Sequence, residues 1–202
     1  VDENKVDILF RIQDMAPKYA NQILIKGNYM TQDKVIRREM EFAEGDPINN
    51  KLIKDSIDNI KSLGFFKSVD IREIEKDNNY VDIVVEIEEQ KTGDFSIGVS
   101  FSSLEGATFL SKLNQKNIAG TGRNVDLTIN TASNNTEYGV SISEPRFFNK
   151  KFRFNYGINH QYRDYSTESS YKISKTNVNA DIEFDIQKNL SNSIGILYEL
   201  NN

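Results

Sequence analysis

The chain lacks the side chains that most catalytic and metal sites require. Its 202 residues include no cysteine and a single histidine, His160. The absence of cysteine excludes a disulfide framework, thiolate metal ligands and a thiol nucleophile. One histidine argues against a histidine-based zinc site or a Ser-His-Asp triad. Acidic pairs such as Asp181 and Glu183 fit a solvated strand face better than an acid and base pair. We therefore expect no catalytic residues, no metal and no cofactor.

Long apolar runs and basic stretches are also missing. No run approaches the ~20 residues that a membrane-spanning helix needs, and Val1 does not begin an export signal. Val6, Ile8, Phe10 and Ile12 alternate as in a strand, so we expect the natural protein to begin upstream. Lys and Arg are scattered among acids, with a net charge of -5. This predicts no helical anchor and no nucleic-acid partner.

The first half has the pattern of a small α+β domain. Tyr19 to Asn28 reads as a strand that ends in a Gly-Asn turn, and Thr31 is the expected N-cap of a short helix. A second helix begins at Asn49 or Asn50 and ends at Gly64. Two strands complete a β-α-α-β-β order; their sequences are VDIREIEK (69–76) and YVDIVVEIEE (80–89).

This half resembles a POTRA domain, the β-α-α-β-β periplasmic module of outer-membrane assembly and secretion proteins. The resemblance is carried by Gly27-Asn28, VIRREM (35–40), Glu44-Gly45 and LGFFKSVDI (63–71). It implies that residues 1–16 end a preceding POTRA domain and that residues 17–90 form the final one. A POTRA sheet has an exposed edge that can pair with an extended partner segment. The predicted edge residues are Val69, Asp70, Ile71 and Arg72.

The second half changes to alternation between apolar and polar residues over about ten positions, as in the β-strands of a sheet with one apolar face. Phe95, Ile97, Val99 and Phe101 alternate with small polar residues. Similar segments lie at 122–133, 135–143, 151–162 and 176–186. A soluble sandwich or barrel turns the apolar face inward, whereas a membrane barrel turns it toward lipid, and periodicity alone allows both.

Two aromatic groups favour the membrane barrel. The predicted connections alternate between the two ends of the strands. Phe147, Phe148 and Phe152 cluster at one end, and Tyr162, Tyr165 and Tyr171 cluster at the other. Such a pair of aromatic girdles is typical of a sheet that crosses a bilayer.

The motifs TGDFSIGVSFSSLEG, NQKNIAGTGRNV and EPRFF resemble the opening of the β-barrel that follows the last POTRA domain in the same family. The resemblance implies that residues 91–202 supply about seven strands of a barrel of about sixteen. The expected fold is therefore a POTRA module followed by antiparallel all-β transmembrane strands of an incomplete barrel. Thr92 and Gly93 form the predicted hinge.

The resemblance also implies a non-enzymatic role in assembling outer-membrane proteins. The expected location is the bacterial outer membrane, with the POTRA portion in the periplasm. The expected partners are unfolded outer-membrane proteins, assembly-machine lipoproteins and membrane lipid. Client strands are predicted to pair with Asp94, Phe95, Ser96, Ile97, Gly98, Val99, Ser100 and Phe101. The alternatives are a soluble β-rich binding module and a related POTRA-barrel protein of secretion or translocation.

Overall fold

The described part of the chain forms two β-sheets, a small one with two helices and a large one without. A computed structural model describes residues 16–76, 78–103, 106–166, 170–187 and 190–202. The predicted preceding domain at 1–16 lies, apart from Ala16, outside these residues. No helix within these ranges is long and apolar enough to cross a membrane.

The small sheet has four strands in the order β2-β1-β4-β3. Strand β1 pairs with β4 in parallel, and β3 pairs with β4 antiparallel, so β3 lies at an edge. The element bounds are β1 (Lys18–Lys26), α1 (Asp33–Arg37), β2 (Pro47–Ile48), α2 (Asn50–Ser62), β3 (Phe66–Glu75) and β4 (Tyr80–Glu89). The predicted order is confirmed, with the two-residue strand β2 added between the helices.

The core of the chain lies beneath the helices of this small domain. Strand β4 contributes Val81, Ile83 and Val85, each at most 2% exposed, because alternate residues of a strand share one face. Ile36 of α1 and Ile60 of α2 are fully buried against the same cluster. The helices are thus held mainly by packing on the sheet, as is usual for helices this short.

The ends of the two helices test the capping predictions. The Asn49 side chain accepts a hydrogen bond from the Leu52 amide at 2.9 Å, and Gly64 follows the helix with a φ of 71°. Both agree with the sequence prediction. The N-cap predicted at Thr31 is wrong, because Gln32 occupies that position. The Thr31 hydroxyl is instead engaged with Asn117, far along the chain.

The large sheet contains seven antiparallel strands in simple sequence order, from β5 at one edge to β11 at the other. Their bounds are β5 (Gly93–Ser102), β6 (Gly106–Gln115), β7 (Asn124–Thr131), β8 (Asn135–Glu144), β9 (Phe152–Asp164), β10 (Lys172–Gln187) and β11 (Leu190–Asn201). The sheet is open, so within the described residues both outer edges lack a partner strand. The expected order of a small α+β domain followed by an antiparallel all-β sheet is confirmed.

The two faces of the large sheet differ in polarity along its whole width. The strand register aligns Leu113, Leu127, Val140, Ile158 and Val178 in one row on the apolar face. Such a row of neighbouring apolar residues forms because every strand keeps the same alternation.

The opposite face carries cross-strand polar pairs. The side-chain amide of Asn155 donates to the Asp181 carboxylate at 2.8 Å, and the side-chain amide of Asn159 donates to the Glu137 carboxylate at 2.9 Å. These pairs satisfy polar side chains that would be costly to bury alone. The sheet therefore suits a boundary between an apolar and a hydrated medium.

Candidate functional site

The free edge of β5 holds the predicted client-pairing residues. All eight, from Asp94 to Phe101, lie in β5, which pairs only with β6 within the described chain. Their backbone groups on the other side are therefore available to another strand. Phe95, Ile97, Val99 and Phe101 are 61 to 82% exposed on the apolar face. The structure thus places a long, exposed strand edge directly after the small domain.

Gly98 lies in the middle of β5 and faces the polar side. A Cβ atom added there would lie 3.8 Å from the Leu110 Cβ, an ordinary contact. The position therefore does not require glycine for lack of space. What glycine lacks is a side chain that could pack against β6.

The free edge of β3 is the second predicted site. Val69 and Ile71 point into the core and are at most 9% exposed, whereas Asp70 and Arg72 are on the outer face. Arg72 forms ion pairs with Asp70 and with Glu86 on β4. Four predicted residues thus share one edge strand, but only its backbone and the two charged side chains are accessible.

The predicted hinge residues already take part in the large sheet. Gly93 is the first residue of β5 and aligns with Gln115. The Thr92 carbonyl accepts a hydrogen bond from the Lys116 amide, and its hydroxyl accepts one from the Gln115 side chain, both at 2.9 Å. The connection between the two sheets is therefore limited to Gln90 and Lys91, and the Gln90 backbone amide still donates to the Phe65 carbonyl at 3.0 Å.

The two sheets also meet at contacts that the sequence did not predict, which we call the junction. Residues 30–41 of the small domain contact the β6–β7 turn (116–123) and the β8–β9 turn (145–151). The buried Asn117 side chain donates to the Thr31 hydroxyl at 2.8 Å and accepts from the Gly122 amide at 2.7 Å. Nearby, the backbone amide of Gln32 donates to the Gly120 carbonyl at 2.9 Å. These bonds fix the β6–β7 turn against the start of α1.

A buried ion pair forms the other half of the junction. Glu39 is 4% exposed, and both of its carboxylate oxygens bind the guanidinium of Arg146 in the β8–β9 turn. The Nε of Arg38 lies 3.6 Å from the same carboxylate. Burial is the main cause that lowers the pKa of Arg38, while Glu39 opposes the shift. Planar two-point pairing of this kind is among the stronger polar contacts in proteins.

Glu89, the last residue of β4, organises the loop that enters the junction. Its carboxylate accepts from the Met30 amide at 2.9 Å and from the Thr31 amide at 2.7 Å. Burial raises the pKa of Glu89, but the hydrogen bonds from Thr31, Met30 and Tyr29 together lower it below its usual value. The negative charge is therefore favoured in the folded state.

Weak signals for the junction were present in the sequence. The AGTG segment places Gly120 at a φ of 70° and Gly122 at 76°, which a Gly-rich turn predicts. Nothing in the sequence, however, indicates which distant residues such a turn contacts. The described residues also contain no cluster of three or more potential metal ligands.

Comparison with known families covers the small sheet and strands β7 to β11 of the large one. The POTRA family, described as surface antigen variable number repeat, matches residues 18–90. The Omp85 superfamily domain matches residues 117–202. The chain carries a POTRA domain followed by Omp85 strands. The resemblance seen in the sequence is therefore confirmed, and the small and large sheets are called the POTRA domain and the Omp85 sheet below.

Similar proteins bear names from outer-membrane assembly. The chain is 30% identical over 154 residues to outer membrane protein assembly factor BamA of Buchnera aphidicola, covering 73% of this chain and 25% of that protein. It is 25% identical over 191 residues to BamA of Neorickettsia risticii, covering 95% and 26%. The chain thus spans about a quarter of the length of these relatives.

Solved structures support the fold. BamA from Haemophilus ducreyi lacking POTRA domains 1-3 superimposes with a TM-score of 0.76 at 24% identity, covering 90% of this chain and 35% of that one. CdiB from Acinetobacter baumannii gives a TM-score of 0.58 at 15% identity, covering 90% and 39%. At these identities the likeness concerns architecture alone.

Proposed function

We propose that this chain is the region of an outer-membrane protein assembly factor in which the POTRA domain meets the start of the barrel. The Omp85 sheet would lie in the bacterial outer membrane with its apolar face toward lipid, and the POTRA domain would lie in the periplasm. Its partners would be unfolded outer-membrane proteins, assembly-machine lipoproteins and lipid. The role is non-enzymatic: the chain provides backbone edges rather than reactive groups.

The observation that carries this proposal is the free edge of β5 beside an apolar face. A client strand entering lipid has unpaired amide and carbonyl groups, each of which costs several kcal/mol when left without a partner. Pairing with the backbone of Asp94 to Phe101 would satisfy one side of that strand as it enters. The apolar side chains of β5 would face lipid throughout, so insertion need not disturb them.

The free edge of β3 offers an earlier step of the same kind. Extended client segments would add to the POTRA sheet through the backbone around Val69, Asp70, Ile71 and Arg72. A movement at Thr92 and Gly93 would then change the angle between this edge and β5. Both steps use backbone pairing, which tolerates many client sequences.

Site-specific crosslinking tests the β5 edge. Ser96→Cys or Ser100→Cys is placed in the full-length protein, together with a client stalled during assembly that carries a cysteine in its last strand. We expect a disulfide adduct at both positions. The matched control is Ser143→Cys on β8, which is flanked by β7 and β9. Adducts that form equally at Ser143, or none at β5 during active assembly, would contradict the proposal.

A further inference from the structure

We infer that the β8–β9 turn is a phospholipid-binding anchor, in which Phe148 and Lys150 contact the headgroup region of the nearer leaflet. This inference rests on the proposed function, because it requires the Omp85 sheet to be in a membrane. It adds a lipid contact at one defined turn and links that contact to the position of the POTRA domain.

Phe148 is held outward by its own backbone. It is 79% exposed, although phenylalanine usually buries most of its surface. Its φ of 53° lies in the left-handed region, which is unusual for a bulky side chain and costs on the order of 1 kcal/mol or more. Such a conformation persists when surrounding contacts enforce it. An exposed aromatic ring held in this way suits an apolar partner.

A column of aromatic rings connects Phe148 to the apolar face of the sheet. The Phe148 ring lies 4.2 Å from Phe147, which lies 4.7 Å from Phe154, which lies 5.3 Å from Tyr156, measured between centroids. Tyr156 is in register with Ile142 and Ala180 on the apolar face. The turn therefore extends the surface proposed to contact lipid, rather than the polar face.

The turn contains three cationic side chains, of which two contact the POTRA domain and one does not. Lys150 is exposed and forms no ion pair with any residue that the structure describes. Lys151 is directed toward the POTRA domain, with its Nζ 3.9 Å from Glu41. Arg146 is fully engaged with Glu39. Lys150 is thus the cation of the turn left for a phosphate group, beside a ring suited to the boundary between headgroups and acyl chains.

The turn consequently joins the POTRA domain, the sheet and lipid within the five residues 146–150. Arg146 holds the POTRA domain, Phe147 packs on the sheet, and Phe148 with Lys150 contacts lipid. A lipid contact at this turn would limit the tilt of the POTRA domain relative to the membrane surface, because the Glu39 contact lies in the same turn.

Fluorescence quenching by labelled lipid tests the anchor. An environment-sensitive fluorophore is attached at Phe148→Cys in the full-length protein, otherwise free of cysteine, in phosphatidylcholine vesicles. We expect a nitroxide on the lipid headgroup to quench this probe about twofold or more beyond one at Ile74→Cys, an exposed POTRA position at the end of β3 away from the junction. Equal quenching at the two positions would overturn the inference.

A third probe separates this inference from the proposed function. A fluorophore at Val99→Cys, on the apolar face of β5, should be quenched by a nitroxide deep in the acyl chains. If Val99 is not quenched, both the membrane placement and the anchor fail. If Val99 is quenched but Phe148 is not, the proposed function stands and the anchor alone is wrong.

The role of Lys150 has its own matched control. With nitroxide-labelled phosphatidylglycerol in place of the phosphatidylcholine label, Lys150→Gln should lower quenching at Phe148→Cys, with local enrichment of the anionic lipid falling by about fivefold. Lys151→Gln makes the same charge change one residue away and should leave the enrichment unchanged. Equal effects of the two substitutions would show a general charge effect and would overturn the assignment of Lys150.

Discussion

At the scale of single residues, Glu39 is notable because it is the buried charged side chain of the POTRA domain among the described residues. Its carboxylate is buried in the junction and pairs with Arg146, with Arg38 nearby. Removing one member of a buried ion pair leaves the other charge without compensation. The attraction within the pair is largely offset by the cost of burying both charges. Separation of the two domains would leave each charge without its partner, so the pair disfavours that separation.

Glu39→Gln should loosen the junction by about 3 kcal/mol, because Arg146 loses its counter-charge. The measurement is hydrogen exchange at the backbone amide of Gln32, which donates to the Gly120 carbonyl across the junction. We expect faster exchange there, while exchange in the POTRA core stays slow. Lys67→Gln breaks the exposed pair with Glu88 and should change exchange at Gln32 little, since surface pairs contribute about 0 to 1 kcal/mol.

Gly120 offers a steric test of the same contact. A Cβ atom at this position would overlap the Met30 carbonyl oxygen, and the φ of 70° disfavours any other residue. Gly120→Ala should therefore separate the β6–β7 turn from the POTRA domain. Gly45→Ala is the matched control, because Gly45 has a φ of 93° but no atom within 4 Å of the added Cβ. Similar exchange at Gln32 in both variants would show that backbone strain, and not the overlap, is responsible.

At the scale of secondary-structure elements, the end of β4 and the start of α1 are coupled through Glu89. The pKa of Glu89 is lowered in the folded state, so its stabilising effect is present above the ordinary value of 4.5 and is lost as pH falls through the lower folded value. We expect the amide signals of Met30 and Thr31 to shift in this acidic range in an NMR titration. Glu89→Gln should remove that titration, and its persistence in the variant would assign it to another group.

Strand β5 allows a prediction about opening of the sheet edge. Gly98→Ala should fit without a clash and should strengthen pairing with β6 by about 0.5 to 1 kcal/mol, through reduced backbone freedom. Hydrogen exchange across β5 should become slower, and client assembly should slow with it. Unchanged exchange would mean that Gly98 does not weaken the edge.

The elements that the sequence predicted well are those with strict periodicity. Strands β7 to β10 keep apolar residues on one face, so their alternation is visible without a structure. Strand β6 breaks this pattern because Leu110 aligns with Asn130 on the polar face. Strand β11 does the same, with Leu197 aligned to Asn179. Neither strand was assigned bounds from sequence, although the total of seven was expected.

The junction was not predictable for a different reason. Its contacts join residues far apart in sequence, such as Thr31 with Asn117 and Glu39 with Arg146. Which residues meet there depends on how the POTRA domain is placed beside the turns. Local patterns carry no such information. Thr31, which the sequence indicated as a helix N-cap, contacts Asn117 in the junction instead.

At the scale of the whole molecule, the two sheets differ in where their apolar side chains lie. The POTRA domain has a conventional core of buried aliphatic residues. The Omp85 sheet has no comparable core within the described residues: its large apolar side chains are mostly exposed on one face. Such a face is unfavourable in water and favourable in lipid. The POTRA domain therefore suits an aqueous medium, whereas the apolar face of the Omp85 sheet suits lipid.

This difference predicts that the cost of a charge depends on the face that carries it. In the full-length protein folded into lipid vesicles, Ile129→Lys on the apolar face of β7 should cost about 2 to 4 kcal/mol of folding free energy. Thr128→Lys, one residue earlier, introduces the same charge on the polar face and should cost about 1 kcal/mol or less. Urea titration of folding into vesicles measures both values. Equal costs would mean that the apolar face does not contact lipid, because a hydrated face would not distinguish the two positions.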